Sequence, residues 1–222
     1  MPYCPTVDRV QPTYLVIDTS ASMGGRVHEI EALLSDLQQH LLETPLLADL
    51  VRLAVLTFDD RASLELPLSD ITEISDFPVI RIGGGTRISS VFELLRHTIA
   101  RDLLLLRTRE TLLFRPFVVF ITDGIPTEPE HLWTSEYQKL LAAVNPRILA
   151  VGLPGAPQSL LNSIGNFATV QLGSVQSIAA FLMRGFESLT ASVVTTMPTD
   201  LSASRSSGPR NLEPRDLDTE WF

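Results

Sequence analysis

The chain has one cysteine, Cys4, so no disulfide can staple it internally, a pattern that fits a reducing compartment. It has no apolar run near the roughly 18 residues that a membrane-spanning helix needs. The longest candidate, "LLLL" at 103–106, is bracketed by Arg101, Asp102 and Arg107. The opening "MPYCPTVDRV" lacks the basic-then-apolar order of a secretory signal. Lysine and arginine number 17 against 26 aspartates and glutamates, a formal net charge of −9. Such a chain is poorly suited to grip phosphate backbones, and no basic stripe with interleaved aromatics offsets this. The four histidines, His28, His40, His97 and His131, lack the spacing of zinc ligands. These absences predict a soluble, cytoplasmic protein that takes neither nucleic acid nor membrane as a partner.

What is present reads as a globular α/β protein. Hydrophobic residues make up 45% and charged residues 19%, enough apolar surface for a full core. "TYLVID" (13–18) and "FVVFITD" (117–123) are nearly continuous apolar runs, as expected of strands buried on both faces. "VRLAVLTF" (51–58), "RILAVGL" (147–153) and "ATVQLG" (168–173) read as further strands. "ASLELPL" (62–68) alternates like the edge strand of a hairpin. Between the strands, apolar residues recur every three or four positions. Val27, Ile30, Leu34, Leu37 and Leu41 mark one helix, which Pro45 ends; Ile88, Val91, Leu95, Ile99 and Leu103 mark a second. The stretches 133–144, 157–165 and 175–193 read as three more.

Strands alternating with helices predict a doubly wound, mostly parallel sheet with one antiparallel edge strand and helices on both faces. Residues 1–12 form an N-terminal extension, 13–196 the domain, and 197–222, rich in serine, proline and charge, a flexible tail.

In such a sheet, ligands bind beyond the carboxyl ends of the strands. Asp18, Ser20 and Ser22 leave the first strand, Thr86 follows the glycine run "GGG" (83–85), and Asp123 closes "FVVFITD". Two carboxylates and three hydroxyls, without sulfur or imidazole, suit a hard divalent cation, Mg²⁺ or Mn²⁺. Blander readings exist for the parts: Asp18 and Ser20 could cap the helix starting near Gly25. Asp59 and Asp60 read as hairpin-turn residues, and Trp133 as either core anchor or partner surface. The glycine run lacks the Gly-Lys-Ser/Thr ending of a nucleotide-binding loop.

"DTSAS" resembles the D-x-S-x-S signature of von Willebrand factor A (vWA) domains, and Thr86 and Asp123 match the other two elements of their metal-ion-dependent adhesion site. The likeness covers about residues 13–194. "DTSASM", "LTFDD", "GGGTRI" and "FITDGIPTE" are similar to bacterial vWA proteins of the tellurium-resistance, TerY-like group. The resemblance implies direct metal contacts from Ser20, Ser22 and Thr86, and direct or water-mediated contacts from Asp18 and Asp123. It implies that a partner protein's Asp or Glu completes the metal shell. The function so implied is a non-enzymatic adaptor in a stress-response system, with kinase- or phosphatase-type partners. It also implies that partner binding shifts the last helix. Two alternatives stand beside it: a Mg²⁺-dependent phosphohydrolase with Asp18 as nucleophile, and a structural domain with a vestigial site. Against the enzyme, the position two after Asp18 is Ser20, a poor general acid, and no lysine or arginine is obviously placed to clamp a phosphate. The tail acids Glu213, Asp216, Asp218 and Glu220 could act as an internal pseudo-ligand.

Overall fold

Strand β1 (Arg9–Asp18) is apolar on both faces because it has a parallel neighbour on each side and helices above and below. It pairs with β2 (Val51–Phe58) in the register Leu15↔Val55 and with β5 (Phe117–Thr122) in the register Leu15↔Val119. Tyr14, Leu15, Val16 and Ile17 are wholly buried. The computed structural model describes residues 9–107, 112–195 and 210–211, with side chains described through residue 185. Among these the sheet has eight strands, in the order β3–β2–β1–β5–β6–β7–β8, with β4 (Leu112–Leu113) beside the start of β1. β6 (Arg147–Gly152) and β7 (Ala168–Gln171) are parallel to β5, and β3 (Ala62–Asp70) is the antiparallel edge. The doubly wound sheet expected from the sequence is the one observed.

Helices α1 (Val27–Glu43), α2 (Pro45–Leu50) and α6 (Val175–Thr195) cover one face; α3 (Ile88–Arg107), α4 (Glu130–Ala143) and α5 (Gln158–Ile164) cover the other. Alternate residues of β1 feed the two layers. Leu15 and Ile17 join Leu34, Val55, Val119 and Phe181, while Tyr14 and Val16 join Phe58, Phe92, Phe120 and Leu161. Phe120 stands between Phe58 and Phe92, with ring centroids 5.2 and 5.7 Å away. Trp133 is buried in this second layer, so it anchors α4 to the core. The Tyr14 hydroxyl donates to buried Asp102 on α3 at 3.2 Å. Burial, helped by that neighbouring carboxylate, pushes the tyrosine pKa far above its ordinary value.

Several boundaries differ from the sequence expectation for local reasons. β1 starts at Arg9 rather than at residue 13, running straight through Pro12. Pro12 has no N–H to donate, and the adjacent Gln11 side chain donates instead to the Arg115 carbonyl at 3.0 Å, where β4 gives way to β5. Pro45 does not only follow α1; it is the first residue of α2, where a missing N–H costs nothing. β3 continues past Pro67 to Asp70, because an exposed edge tolerates proline.

Arg210–Asn211 forms β8, parallel to β7, so this part of the expected tail joins the sheet. Cys4, the tail acids and Trp221–Phe222 lie outside the described residues, as do 108–110 of "RTRE". Among the described residues, no helix is long and apolar enough to cross a membrane.

Truncating Phe120 to alanine removes a ring from a filled layer. The Phe120→Ala variant is expected to lose about 3–5 kcal/mol in urea unfolding. Leu104→Ala, at a position 67% exposed, should stay within about 0.5 kcal/mol of wild type.

Candidate metal centre

The chain leaves β1 in one direction, toward β2, and returns on its other side with β5. The carboxyl ends of β1 and β5 therefore border the crevice where strand order reverses. Asp18 ends β1 and Asp123 follows β5, so the topology alone brings the two acids together.

Asp18 is fully buried. Its Oδ1 accepts the Ser20 N–H at 2.9 Å and its Oδ2 accepts the Thr122 hydroxyl. The Ser20 and Ser22 hydroxyls lie 3.1 Å apart, and Ser22 Oγ donates to Asp123 Oδ1 at 2.7 Å. Capping does not account for this cluster. Between Ser20 and α1, which starts at Val27, comes a 3-10 turn, Ala21–Arg26, and Ser20 makes no side-chain cap bond to it. Met23 holds that turn down by burying its side chain in the core.

Thr86 reaches the cluster through a loop laced to its neighbours. Gly83 N–H donates to Thr19 O at 2.9 Å, and Ala21 N–H to Gly84 O at 3.2 Å. Gly84 has φ +66°, and a Cβ there would lie 2.6 Å from Asp60 Oδ2. Asp60 is more than a turn residue: its Oδ1 accepts the Gly85 N–H at 3.0 Å. Thr86 and Thr127 exchange two bonds, Thr86 N–H to Thr127 Oγ1 at 3.1 Å and Thr127 N–H to Thr86 O at 2.9 Å. Glu128 then accepts the Ser89 N–H at 2.6 Å, fixing the start of α3.

All five predicted residues thus meet. A Cβ placed on Gly124 would lie 3.0 Å from Thr86 Oγ1 and 3.5 Å from Asp18 Oδ2, so the missing side chain leaves room between these oxygens. Asp18, Ser20, Thr86 and Asp123 are buried, while Ser22 is exposed and marks the way in. The donor set is two carboxylates and three hydroxyl oxygens, which fits a hard divalent cation that keeps water ligands. Among the described residues, no group of three or more His, Cys, Asp and Glu side chains converges elsewhere to compete with it.

One participant escaped the sequence reading, which saw no suitably placed lysine or arginine. Arg26 pairs with Asp123 Oδ2 through Nη1. The signal was arithmetic: two acids in a buried cluster call for a cation, and Arg26 is the first after "DTSAS". Thr122, Asp60, Thr127 and Glu128 left no such signal, because their partners are distant in sequence. His28, by contrast, points away and is fully exposed beside Glu31, as expected of a surface residue.

No family model matches the sequence, and no curated protein matches it. Solved structures do. The pilus adhesin SpaC of Lactobacillus rhamnosus GG, in its open conformation, superposes with TM-score 0.66 at 13% identity, over 82% of this chain and 30% of the adhesin. Proximal thread matrix protein 1 of the mussel byssus, solved with zinc in its metal-ion-dependent adhesion site motif, gives 0.58 at 18% identity, over 79% and 47%. A von Willebrand factor type A protein of Catenulispora acidiphila gives 0.57 at 15% identity, over 83% and 42%. The chain spans less than half the length of each of these three. The fold is that of the vWA domain.

Burial raises the pKa of Asp18, hydrogen bonds from Ser20 and Thr122 oppose the rise, and the Asp123 carboxylate adds to it. A carboxyl raised on folding contributes stability below its unfolded pKa, near 3.8, and that contribution is lost as pH rises through the folded value. Asp18→Asn keeps an acceptor for Ser20 N–H and removes the charge. In chelator, this variant should melt above wild type at pH 7, with the gap closing as pH falls toward 4; thermal melts across that range check it.

Proposed function

We propose that this chain is a metal-dependent interaction module. Asp18, Ser20, Ser22, Thr86 and Asp123 would hold Mg²⁺ or Mn²⁺, and the metal would capture an Asp or Glu of a protein partner. The observation that carries this reading is the convergence of five hard-oxygen side chains from three loops at the crevice between β1 and β5. With few direct carboxylates among neutral hydroxyls, a divalent ion would stay Lewis-acidic toward an incoming carboxylate. The mussel protein's zinc-occupied motif supports divalent metal at this place in the fold; the all-oxygen donor set here favours the harder Mg²⁺ or Mn²⁺.

Binding suits the site better than phosphate hydrolysis. Asp18 is fully buried and both its oxygens already accept hydrogen bonds, a poor disposition for a nucleophile. We place the module, on the "DTSASM", "GGGTRI" and "FITDGIPTE" resemblance, as a cytoplasmic adaptor in a bacterial tellurium-resistance or related stress system. Its partners there are kinase- or phosphatase-type proteins.

Calorimetric titration of chelator-treated protein tests the metal. Wild type should bind Mg²⁺ or Mn²⁺, Asp18→Ala should lose binding, and Thr86→Ala should weaken it by about tenfold or more. Absence of binding to wild type at millimolar metal overturns the reading. A pull-down that loses its partner on chelation is the matching expectation for the acidic ligand.

A further inference from the structure

The candidate centre already contains a cation. Arg26 ends the 3-10 turn and folds back across the cluster. Its Nη1 pairs with Asp123 Oδ2 and lies 4.0 Å from the Met23 sulfur, and its Nη2 reaches the Pro154 carbonyl at 3.5 Å. Asp123 is sealed, its side chain 3% exposed, whereas that of Arg26 is 24% exposed. Asp18 and Asp123 sit in one cluster whose other members are neutral hydroxyls, so two negative charges are buried together. Among the described residues, Arg26 is the cation that the structure pairs with either of them.

We propose that Arg26 is an internal counter-ion, which occupies Asp123 in the metal-free protein and must leave before a divalent cation can settle, so that it sets the metal threshold of the site. This inference rests on the reading of the five oxygens as a metal site. The guanidinium and a metal ion compete for the same buried carboxylate and repel one another at contact distance. Arginine cannot yield by losing a proton, so it yields only by moving. Its partial exposure and the long 3.5 Å bond to Pro154 leave it a route outward. A monovalent ion would replace one positive charge with another and gain nothing. A divalent ion brings two, matching both acids, so the exchange selects by valence.

A merely structural Arg26, stapling its turn to the loop after β6, predicts the opposite sign from a competitor. Removing a staple loosens the site and weakens metal binding; removing a competitor strengthens it. The full chain, treated with chelator, is titrated with Mn²⁺ while free Mn²⁺ is read by electron paramagnetic resonance. Arg26→Gln should bind Mn²⁺ about tenfold or more tighter than wild type. Its melting temperature should fall more in chelator than in saturating Mn²⁺. Equal or weaker Mn²⁺ binding by Arg26→Gln, with wild type binding normally, overturns the proposal and leaves the metal site standing. Absence of Mn²⁺ binding in both overturns both readings. Wild type supplies a check that needs no variant: the Arg26 guanidinium resonance in ¹⁵N NMR should shift and sharpen as Mg²⁺ saturates. An unmoved resonance at saturation overturns the proposal.

Discussion

Two carboxylates end adjacent parallel strands and are held out of water side by side. Asp18 closes β1 and Asp123 follows β5, which pair through Ile17↔Ile121. Placing two negative charges in one dry pocket is costly unless each finds donors or a counter-charge. The surroundings supply both. Ser20 N–H and Thr122 serve Asp18, while Ser22 and Arg26 serve Asp123. The arrangement leaves a buried place where positive charge is favoured.

The rest of the molecule keeps that pocket in shape. Asp60, from the β2–β3 turn, and Thr127, from the loop after β5, hold the glycine run from two sides, and Thr86 hangs between them. Glu128 ties the same loop to the first turn of α3. Loops that begin on separate strands thus share backbone bonds, so a displacement of Thr86 must be felt at the start of α3. Below them, the layer of Phe58, Phe92 and Phe120 gives the strand ends a rigid base.

Much of this was legible. Long unbroken apolar runs betrayed β1 and β5, because a strand covered on both faces has no reason to alternate. The five oxygens could be picked out because each ends or follows a strand, or follows a glycine run, a context local to its own segment. Less legible were features whose cause lies across the fold. By sequence alone Pro12 marks the end of an extension, whereas in the fold the strand runs through it and Gln11 donates in its place. Pro45 looked like a stop and is a start. Asp60 looked like an ordinary turn acid, since nothing near it in sequence names Gly85 as its partner. Arg26 stands close to Ser22 in the chain but 97 residues from Asp123, so the sequence does not show which acid it meets.

By itself the sequence determined the class of fold, the strand and helix periods, and the chemical type of the site, hard oxygen rather than sulfur or nitrogen. These follow from composition and short-range pattern, which act before the chain closes on itself. Only the tertiary structure decided which charges meet. Strand order puts Asp18 and Asp123 together, Gly124 leaves the room between Thr86 and Asp18, and the return of the Ala21–Arg26 turn lays a guanidinium on Asp123. Electrostatic energy depends on distance through space and on exclusion of water, and neither is written in the spacing of residues along a chain.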